Sequence, residues 1–497
     1  MWWQRVKNIY HLLNAVVANL WFGFPSRNLT VVGVTGTDGK TTTVSLIYHI
    51  LYTAGYNASM ISSVGAIIAG KNYDVGFHVT TPSPWALQRF IKKAFMSGEA
   101  QGSSHPLNDS SDSNLVLTSV LARANDYKRV SNEELFKRSF RGEARPSPAT
   151  PRSRFLVLEA TSHALDQYRV FGIKYDVGVL TNVTHEHLDY HKTYENYVKT
   201  KAKLLKTARV AIVNRDDKSY ELLKSEIINP KSETNSKFKI QNSKLQVKNQ
   251  KFITYGMRND ADVNPQNFPF KTTLIGEFNK HNVLASIAVC RNLGINDKII
   301  RRAIVSFKPP IGREEIVYPS TSSGQVNFTV MIDFAHTPNA FEQILSSIKP
   351  SIKGRLIHVF GAAGQRDATK RPLMGKASSK YADIIILTAE DPRSESVEDI
   401  MKEIELGIMN YELRIKKKTL LKIPDRKEAI NAAIKMVRKG DFVLITGKSH
   451  EKSMNYGRGE EPWDEFEAVR NALSSRAKRG DPIHKEIASS RFDRDSQ

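Results

Sequence analysis

Val31-Val32-Gly33-Val34-Thr35-Gly36-Thr37-Asp38-Gly39-Lys40-Thr41-Thr42-Thr43 is the stretch that decides the fold. An apolar run suited to a buried strand passes through a glycine-rich turn into a helix that opens on Lys-Thr. Glycines let backbone N–H groups converge on phosphate oxygens, and a helix N-terminus adds the positive end of its dipole. In this reading Gly36, Thr37, Asp38, Gly39 and Thr42 form the cradle. Lys40 reaches the terminal phosphates, and the Thr41 hydroxyl serves Mg²⁺. The strict phosphate-loop spacing asks for Gly at position 34, where this chain has Val; its first Gly is one residue earlier. The plain alternative is a strand–helix turn that binds nothing. A Lys-Thr pair placed just after a strand argues against it.

Outward from this loop, strand-like runs alternate with helical patterns, which predicts parallel sheets with crossover helices, an α/β fold. The candidate strands are 29–34, 155–159, 177–180, 210–213, 328–333, 356–360, 384–387 and 442–446, with helices at 41–54 and 397–407. Residues 1–28 read as an amphipathic lead-in helix too short to span a bilayer, with weak contact at a membrane surface as the lesser alternative and no stable membrane insertion expected. Residues 29–308 read as a central phosphate-loop domain. Residues 309–475 read as a second, Rossmann-like α/β domain beginning where Pro309-Pro310-Ile311-Gly312 punctuates the chain. The Ser/Asn/Gly/Arg/Pro-rich stretch 97–154 is expected to be a largely disordered insertion. Residues 231–251 are expected to form a hairpin or mobile loop, and 476–497 a flexible tail.

The chain has 497 residues, 40% hydrophobic and 25% charged, the composition of a soluble globular protein. One cysteine, Cys290, excludes an intramolecular disulfide and a cysteine-based zinc site, and fits a reducing cytoplasm. The net charge of +22 raises nucleic-acid binding as a possibility. No helix-turn-helix, zinc-finger or RNP-like signature accompanies it, so small phosphate-rich ligands are the expected partners.

Two further segments carry chemistry. Glu159-Ala160-Thr161-Ser162-His163-Ala164-Leu165 follows a strand, which puts Glu159 at the strand's C-terminal end, where α/β sheets bind ligands. Thr181-Asn182-Val183-Thr184-His185-Glu186-His187-Leu188-Asp189-Tyr190-His191 adds acidic and imidazole groups. Glu159, one histidine of this run and the Thr41 hydroxyl make a plausible Mg²⁺ set around phosphates. A zinc site from His185, His187 and His191 is the competing reading, and a surface histidine cluster the bland one.

Taken in order, these segments resemble the successive motifs of the Mur ligase family, in particular its MurE branch. Further matches are Leu274-Ile275-Gly276-Glu277-Phe278-Asn279 with Asn282, Gly312-Arg313, Ile332-Asp333-Phe334-Ala335-His336-Thr337-Pro338, Phe360–Asp367, Lys370–Gly375 and Thr446–Glu451. The resemblance spans residues 20 to 475 apart from the two biased loops. It implies an ATP-dependent, cytoplasmic, ADP-forming amide ligase that adds a third amino acid to a peptidoglycan precursor through an acyl phosphate, working as a monomer with Mg²⁺. It also implies roles. Lys40, Glu159, His187 and Lys201 are catalytic, Lys201 as a carbamate that joins Thr41, Glu159 and His187 in holding metal. Asn279, Asn282, Arg313, Asp333 and His336 join the loop in holding ATP. Thr80, Thr81, Thr161, Gln167 and Arg169 meet the UDP-muramoyl dipeptide, and Arg366, Glu390, Asp391, Pro392, Arg393, Gly447 and Glu451 meet the incoming amino acid. From residues alone, the asparagines also read as a helix start, Asp333 as turn chemistry, Thr80-Thr81-Pro82 as another helix start, and Lys201 as one solvated lysine beside Lys199 and Lys203.

Three departures stand out. Glu186 replaces the family's usual Asp before His187. Glu390-Asp391 stand where the diaminopimelate-adding enzymes have Asp-Asn, although the following Pro392-Arg393 keeps the guanidinium that clamps a carboxylate bidentately. With the phosphate loop near residue 33, the chain is also expected to lack the family's preceding uridine-gripping domain. The rival readings are a folate- or cyanophycin-type ligase, a catalytically weakened binding partner in wall synthesis, and a nucleic-acid-dependent ATPase.

Overall fold

The computed structural model describes residues 2–76, 81–97, 154–228, 250–318, 328–412 and 418–477. Two sheets organise the chain. The first contains β1 (Thr30–Thr35), β2 (Asn57–Ser62), β3 (Gly65–Ile68), β4 (Lys71–Tyr73), β5 (Arg154–Glu159), β6 (Val177–Leu180), β7 (Val210–Asn214) and β8 (Lys251–Tyr255). Their order is β4-β3-β2-β5-β1-β6-β7-β8, parallel except for β3 and β4. The second contains β9 (Glu315–Tyr318), β10 (Thr329–Asp333), β11 (Leu356–Phe360), β12 (Ile384–Leu387), β13 (Thr419–Lys422) and β14 (Phe442–Thr446), ordered β13-β12-β11-β14-β10-β9 with only β9 antiparallel. The stretch 309–312 lies in the link between the sheets.

Helices cover both faces of each sheet, so the central strands are apolar throughout rather than alternating. Along β1, Val31 packs into the core on one face, while Val32 and Val34 pack into the core on the other, against the helices Lys40–Thr53 and Glu277–Asn292. Gly33, read as the displaced first glycine of the phosphate loop, has another reason to be small: a Cβ there would lie 2.6 Å from the Tyr175 ring. It is a packing glycine.

All eight expected strands are present with shifts of at most one residue at an end, and the two expected helices are Lys40–Thr53 and Val397–Glu412. Strands β2, β3, β4, β8, β9 and β13 were not anticipated; all but β2 are short or lie at sheet margins, where burial imposes little pattern, whereas β2 is buried but interleaves polar Asn57, Ser59 and Ser62 with its apolar residues. Of the segments expected to be irregular, residues 98–153, 231–249 and 478–497 lie outside the described residues, whereas 476–477 end the helix Glu465–Ala477 and Lys251 opens β8. The lead-in helix runs Trp2–Phe22, followed by a 3₁₀ turn Pro25–Asn28.

His358 on β11 is fully buried, its ring hydrogen-bonded to Ser378 Oγ at 2.9 Å and Thr446 Oγ1 at 3.0 Å. Burial lowers its pKa from 6.5 to about 3, with the Arg426 charge adding to the effect. The unfolded chain therefore takes up this proton first as pH falls. The stability contribution is complete above 6.5 and is lost progressively towards 3. Urea unfolding at pH 7 and pH 5 is expected to show lower stability at pH 5, and His358→Gln is expected to reduce that difference. An equal pH effect in the variant would remove His358 from the account.

Candidate active site

Strand C-terminal ends from both sheets converge on one cleft of about 890 Å³. The loops after β1, β5 and β6 supply Gly36–Thr42, Glu159–His163 and Thr181–His187. Opposite them, the loops after β10, β12 and β14 supply Asp333–His336, Glu390–Arg393 and Gly447–Glu451. This is where open α/β sheets place ligands.

The phosphate loop has the form its sequence predicts. Gly39 has φ 79° and turns the chain into the helix Lys40–Thr53; a Cβ there would sit 2.2 Å from Asn282 Oδ1. Lys40 Nζ donates to Thr37 O at 2.8 Å, so the ammonium lies across the loop. Thr41 Oγ1 donates to Glu159 Oε2 at 3.1 Å and accepts from Arg313 Nη2 at 3.1 Å, and Ser63 N donates to the same Glu159 oxygen at 3.1 Å. Arg313 stacks over the Phe334 ring at 4.3 Å, and its Nε has no protein acceptor. A buried guanidinium with a spare donor beside a phosphate loop is suited to an anion.

Asp38 clasps the two halves together. Its backbone carbonyl accepts from Thr181 Oγ1 at 2.7 Å, while its carboxylate accepts from Thr337 Oγ1 at 3.1 Å and Asn339 Nδ2 at 2.8 Å at the start of the helix Pro338–Ile348. A second crossing is made by Lys370, whose buried Nζ donates to both Glu186 oxygens, at 3.1 and 3.3 Å, and to His336 O at 2.9 Å. Burial raises the Glu186 pKa and the Lys370 charge opposes that rise. Lys370 is thus a cross-sheet partner that sequence reading had quoted only as part of a motif.

Lys201 is 1% exposed on the helix Tyr194–Thr207. Its Nζ donates to Gly36 O and lies 4.4 Å from the Tyr197 ring centroid. Among the described residues no carboxylate pairs with it. Burial, reinforced by the Lys40 charge, holds its pKa well below 10.5, favouring the uncharged amine beside the phosphate loop. Lys199 and Lys203 instead reach Glu226 and Asp166 at half-exposed positions. The solvated-charge reading of Lys201 is therefore wrong.

The histidines diverge. His187 keeps part of its ring open to the cleft, yet burial and the neighbouring His163 hold its pKa well below 6.5. His191 is buried, hydrogen-bonded to Ser162 Oγ at 3.0 Å and stacked on Tyr197, while His185 bonds Thr369 Oγ1 at 2.9 Å. These separate partners argue against a three-histidine zinc site. Among the described residues, no group of three or more His, Cys, Asp or Glu side chains is placed to hold a metal. What does fit a cation is the contact between the Thr41 hydroxyl and Glu159 carboxylate, a hard-oxygen pair at the mouth of the phosphate loop.

The remaining predicted residues divide. Asn282 lines the cleft, and Asn279 stands behind it, donating to Ile275 O at 2.7 Å and to Glu314 while accepting from Asn282 at 2.9 Å. Asp333 lines the cleft, but its oxygens accept from Glu314 N at 2.8 Å and Ala335 N at 2.7 Å, the turn chemistry weighed above. His336 also lines it; burial and Lys370 lower its pKa to about 3, so it is neutral. Thr81 and Thr161 are committed to local bonds, Thr81 Oγ1 to Glu159 O at 3.2 Å and Thr161 Oγ1 to Ala164 N at 3.1 Å, although both border the cleft. Gln167 and Arg169 border it as a mutually bonded pair, 2.7 Å apart. Thr80 lies outside the described residues.

At the far end, Arg366 and Arg393 face the same space, and the Arg366 pKa is lowered by burial and then by the Arg393 charge. Two guanidiniums that repel one another call for an anion between them. Arg393 Nη1 donates to Gly364 O at 2.7 Å. Beside them Glu390 is buried with Oε2 unpaired, and burial raises its pKa to about 8. Glu451 and Asp391 share Lys448 Nζ, at 2.7 and 2.9 Å. Gly447 leaves room for the Glu390 side chain, and Pro392 shapes the turn behind Arg393.

A wall formed by Asn214, Asp216, Asp217, His281 and Gln343 was not anticipated. No quoted motif contains these residues; they come from three separate segments, and His281 is tied to Asp216 Oδ2 at 2.9 Å.

Comparison with known proteins follows this geometry. The family described as Mur ligase middle domain matches residues 34–101 and 147–290, and that described as Mur ligase, glutamate ligase domain matches residues 313–449. A protein of Aquifex aeolicus (strain VF5) named UDP-N-acetylmuramoyl-L-alanyl-D-glutamate--2,6-diaminopimelate ligase is 33% identical over 474 residues, covering 92% of this chain and 80% of that one. The like-named protein of Geobacillus thermodenitrificans (strain NG80-2) is 31% identical over 489 residues, covering 93% and 82%. Among solved structures, E. coli FolC in complex with ADP superposes with a TM-score of 0.56 at 18% identity, covering 94% of each chain, a likeness of fold.

Proposed function

The chain belongs to the Mur ligase family, and from that premise we propose that it joins meso-diaminopimelate to the D-glutamyl carboxylate of UDP-N-acetylmuramoyl-L-alanyl-D-glutamate, forming ADP and phosphate. The observation that carries this reading is a single cleft with a phosphate loop at one end and the Arg366–Arg393 pair with Glu390 at the other. The enzyme acts on small molecules, in the cytoplasm and as a monomer.

In this reading the acceptor carboxylate attacks the γ-phosphorus of ATP and ADP departs, leaving an acyl phosphate. The amine of the incoming amino acid then attacks the acyl carbon, and phosphate leaves as the amide forms. Two anions must meet in the first step, so fixed cations are the chief requirement. Lys40 and Arg313 supply them, with the spare Nε of Arg313 directed at the transferring group. Thr41, Glu159, His187 and a carbamate on Lys201 would hold Mg²⁺, which supplies further charge neutralisation. The loop backbone and Asn282 hold the nucleotide, assisted by Asn279, Asp333 and His336 through the turns they fix. Gln167 and Arg169, with Thr80, Thr81 and Thr161, orient the acceptor. At the other end Arg393 and Arg366 grip a carboxylate of the diamino acid, while Glu390 and Glu451 meet its distal ammonium.

The test is phosphate release from ATP. Release is expected only when both UDP-muramoyl dipeptide and meso-diaminopimelate are present. Arg393→Lys should raise the KM for the amino acid about 10- to 100-fold with a smaller change in kcat, because a point charge cannot replace the bidentate fork. Release with a folate and glutamate instead would redirect the assignment to another branch of the fold.

A further inference from the structure

The helix Trp2–Phe22 presents its apolar side to solvent. Ile9, Leu13, Val17, Leu20 and Trp21 recur at helical spacing on outward positions, with Trp21 77% exposed. Two of its three asparagines face the protein, Asn19 Nδ2 donating to Phe171 O at 2.7 Å and Asn8 Nδ2 to Asp166 Oδ2 at 3.2 Å, while Asn14 bonds back to Tyr10 O within the helix. A helix merely covering a soluble core shows the opposite polarity. The patch continues on the neighbouring helix Pro84–Met96, where exposed Trp85 lies 6.3 Å from Trp21 and 6.1 Å from Phe22, centroid to centroid. One and two turns beyond Trp85, Arg89 and Lys93 are also exposed.

Charge selects what covers this face. Neither helix contains an aspartate or glutamate, the first acidic residue of the chain is Asp38, and the two helices together with the 3₁₀ turn after the first carry Arg5, Lys7, Arg27, Arg89, Lys92 and Lys93. A second copy applied through the same surface would set basic residues against basic residues with no carboxylate to offset them. Among the described residues no helix is long and apolar enough to cross a membrane. Apolar and indole side chains rimmed by basic residues are the pattern of a helix lying in the plane of a bilayer with anionic headgroups.

We propose that the face formed by Ile9, Leu13, Val17, Leu20, Trp21 and Trp85, flanked by Arg89 and Lys93, docks the protein on an anionic lipid surface. The helix rests on residues 166–171, whose Gln167 and Arg169 border the cleft, so docking fixes that border close to the bilayer. This inference does not depend on the reaction assigned to the cleft.

Co-sedimentation of the full chain with phosphatidylcholine vesicles, with and without phosphatidylglycerol, tests it. Binding is expected to the mixed vesicles and to weaken as salt rises. Leu13→Gln with Trp21→Gln, and separately Arg89→Glu with Lys93→Glu, should each lower partitioning at least about tenfold. All these sites are exposed, and an unchanged melting temperature identifies variants that still fold. Equal binding to neutral vesicles, or partitioning unaffected by the Arg89/Lys93 reversal, overturns the proposal. So does a wild-type chain that ignores vesicles but self-associates, or binds a protein partner, through Leu13 and Trp21.

Discussion

Lys40→Ala is expected to lower phosphate release about 10³-fold while leaving the melting temperature of the ligand-free protein nearly unchanged. The size follows from its place. The ammonium lies across the phosphate loop, bonded among the described residues to Thr37 O at 2.8 Å, so it contributes little to holding the loop together. On a bound triphosphate the same group meets charge that shifts during transfer, and losing one such preorganised group costs about 10² to 10³ in rate. The reaction also joins two anions, which pushes the expected loss to the upper end. The loop keeps its shape through Asp38 O and the Asn182 amide, neither of which involves Lys40. Steady-state kinetics and thermal melting on the same preparation check both halves. A variant retaining a tenth of the rate would remove Lys40 from the chemistry.

Lys201→Met is expected to cost about as much activity without a loss of stability. Among the described residues an ammonium enclosed here has no carboxylate to pair with, and such burial costs on the order of several kcal/mol, which disfavours the charged form. Removing it therefore relieves the core rather than opening a charged defect. An uncharged amine is a nucleophile, and in the proposed role it would add to CO₂ with loss of a proton, exchanging a base for a carboxylate beside the loop that Thr41 and Glu159 share. Activity is expected to fall about 10³-fold in the variant. In the wild type it should fall on rigorous CO₂ removal and return with bicarbonate. A ¹³C carbamate resonance that appears with labelled bicarbonate and is absent from Lys201→Met would identify the adduct. A fully active variant, or a wild type indifferent to CO₂, would end this role for Lys201.

Much of this was legible in the chain because the chemistry and the fold share the same residues. β1, β5 and β6 read as strands because both their faces are buried, and the residues that bind follow directly at their C-terminal ends. Glu159 could thus be placed before any coordinates were known. The lysine that matters could not be chosen by pattern: Lys199, Lys201 and Lys203 alternate on one helix, and only packing separates the buried amine from its solvated neighbours. Lys370 and Glu186 were opaque for a related reason, since their bond joins segments 184 residues apart. The wall containing Asp216 and His281 carries no motif at all. The lead-in helix was read as amphipathic, but which side would face outward depends on what it packs against, and the sequence does not say.

The Asp38 clasp ties affinity to rigidity. The same loop that would receive a nucleotide holds the second sheet through Thr337 and Asn339. A ligand that recruits Asp38 must loosen those bonds, so its binding is coupled to how the two sheets are held. Interdomain stiffness and nucleotide binding are then two readings of one coupling free energy, so a probe of hinge motion also measures occupancy.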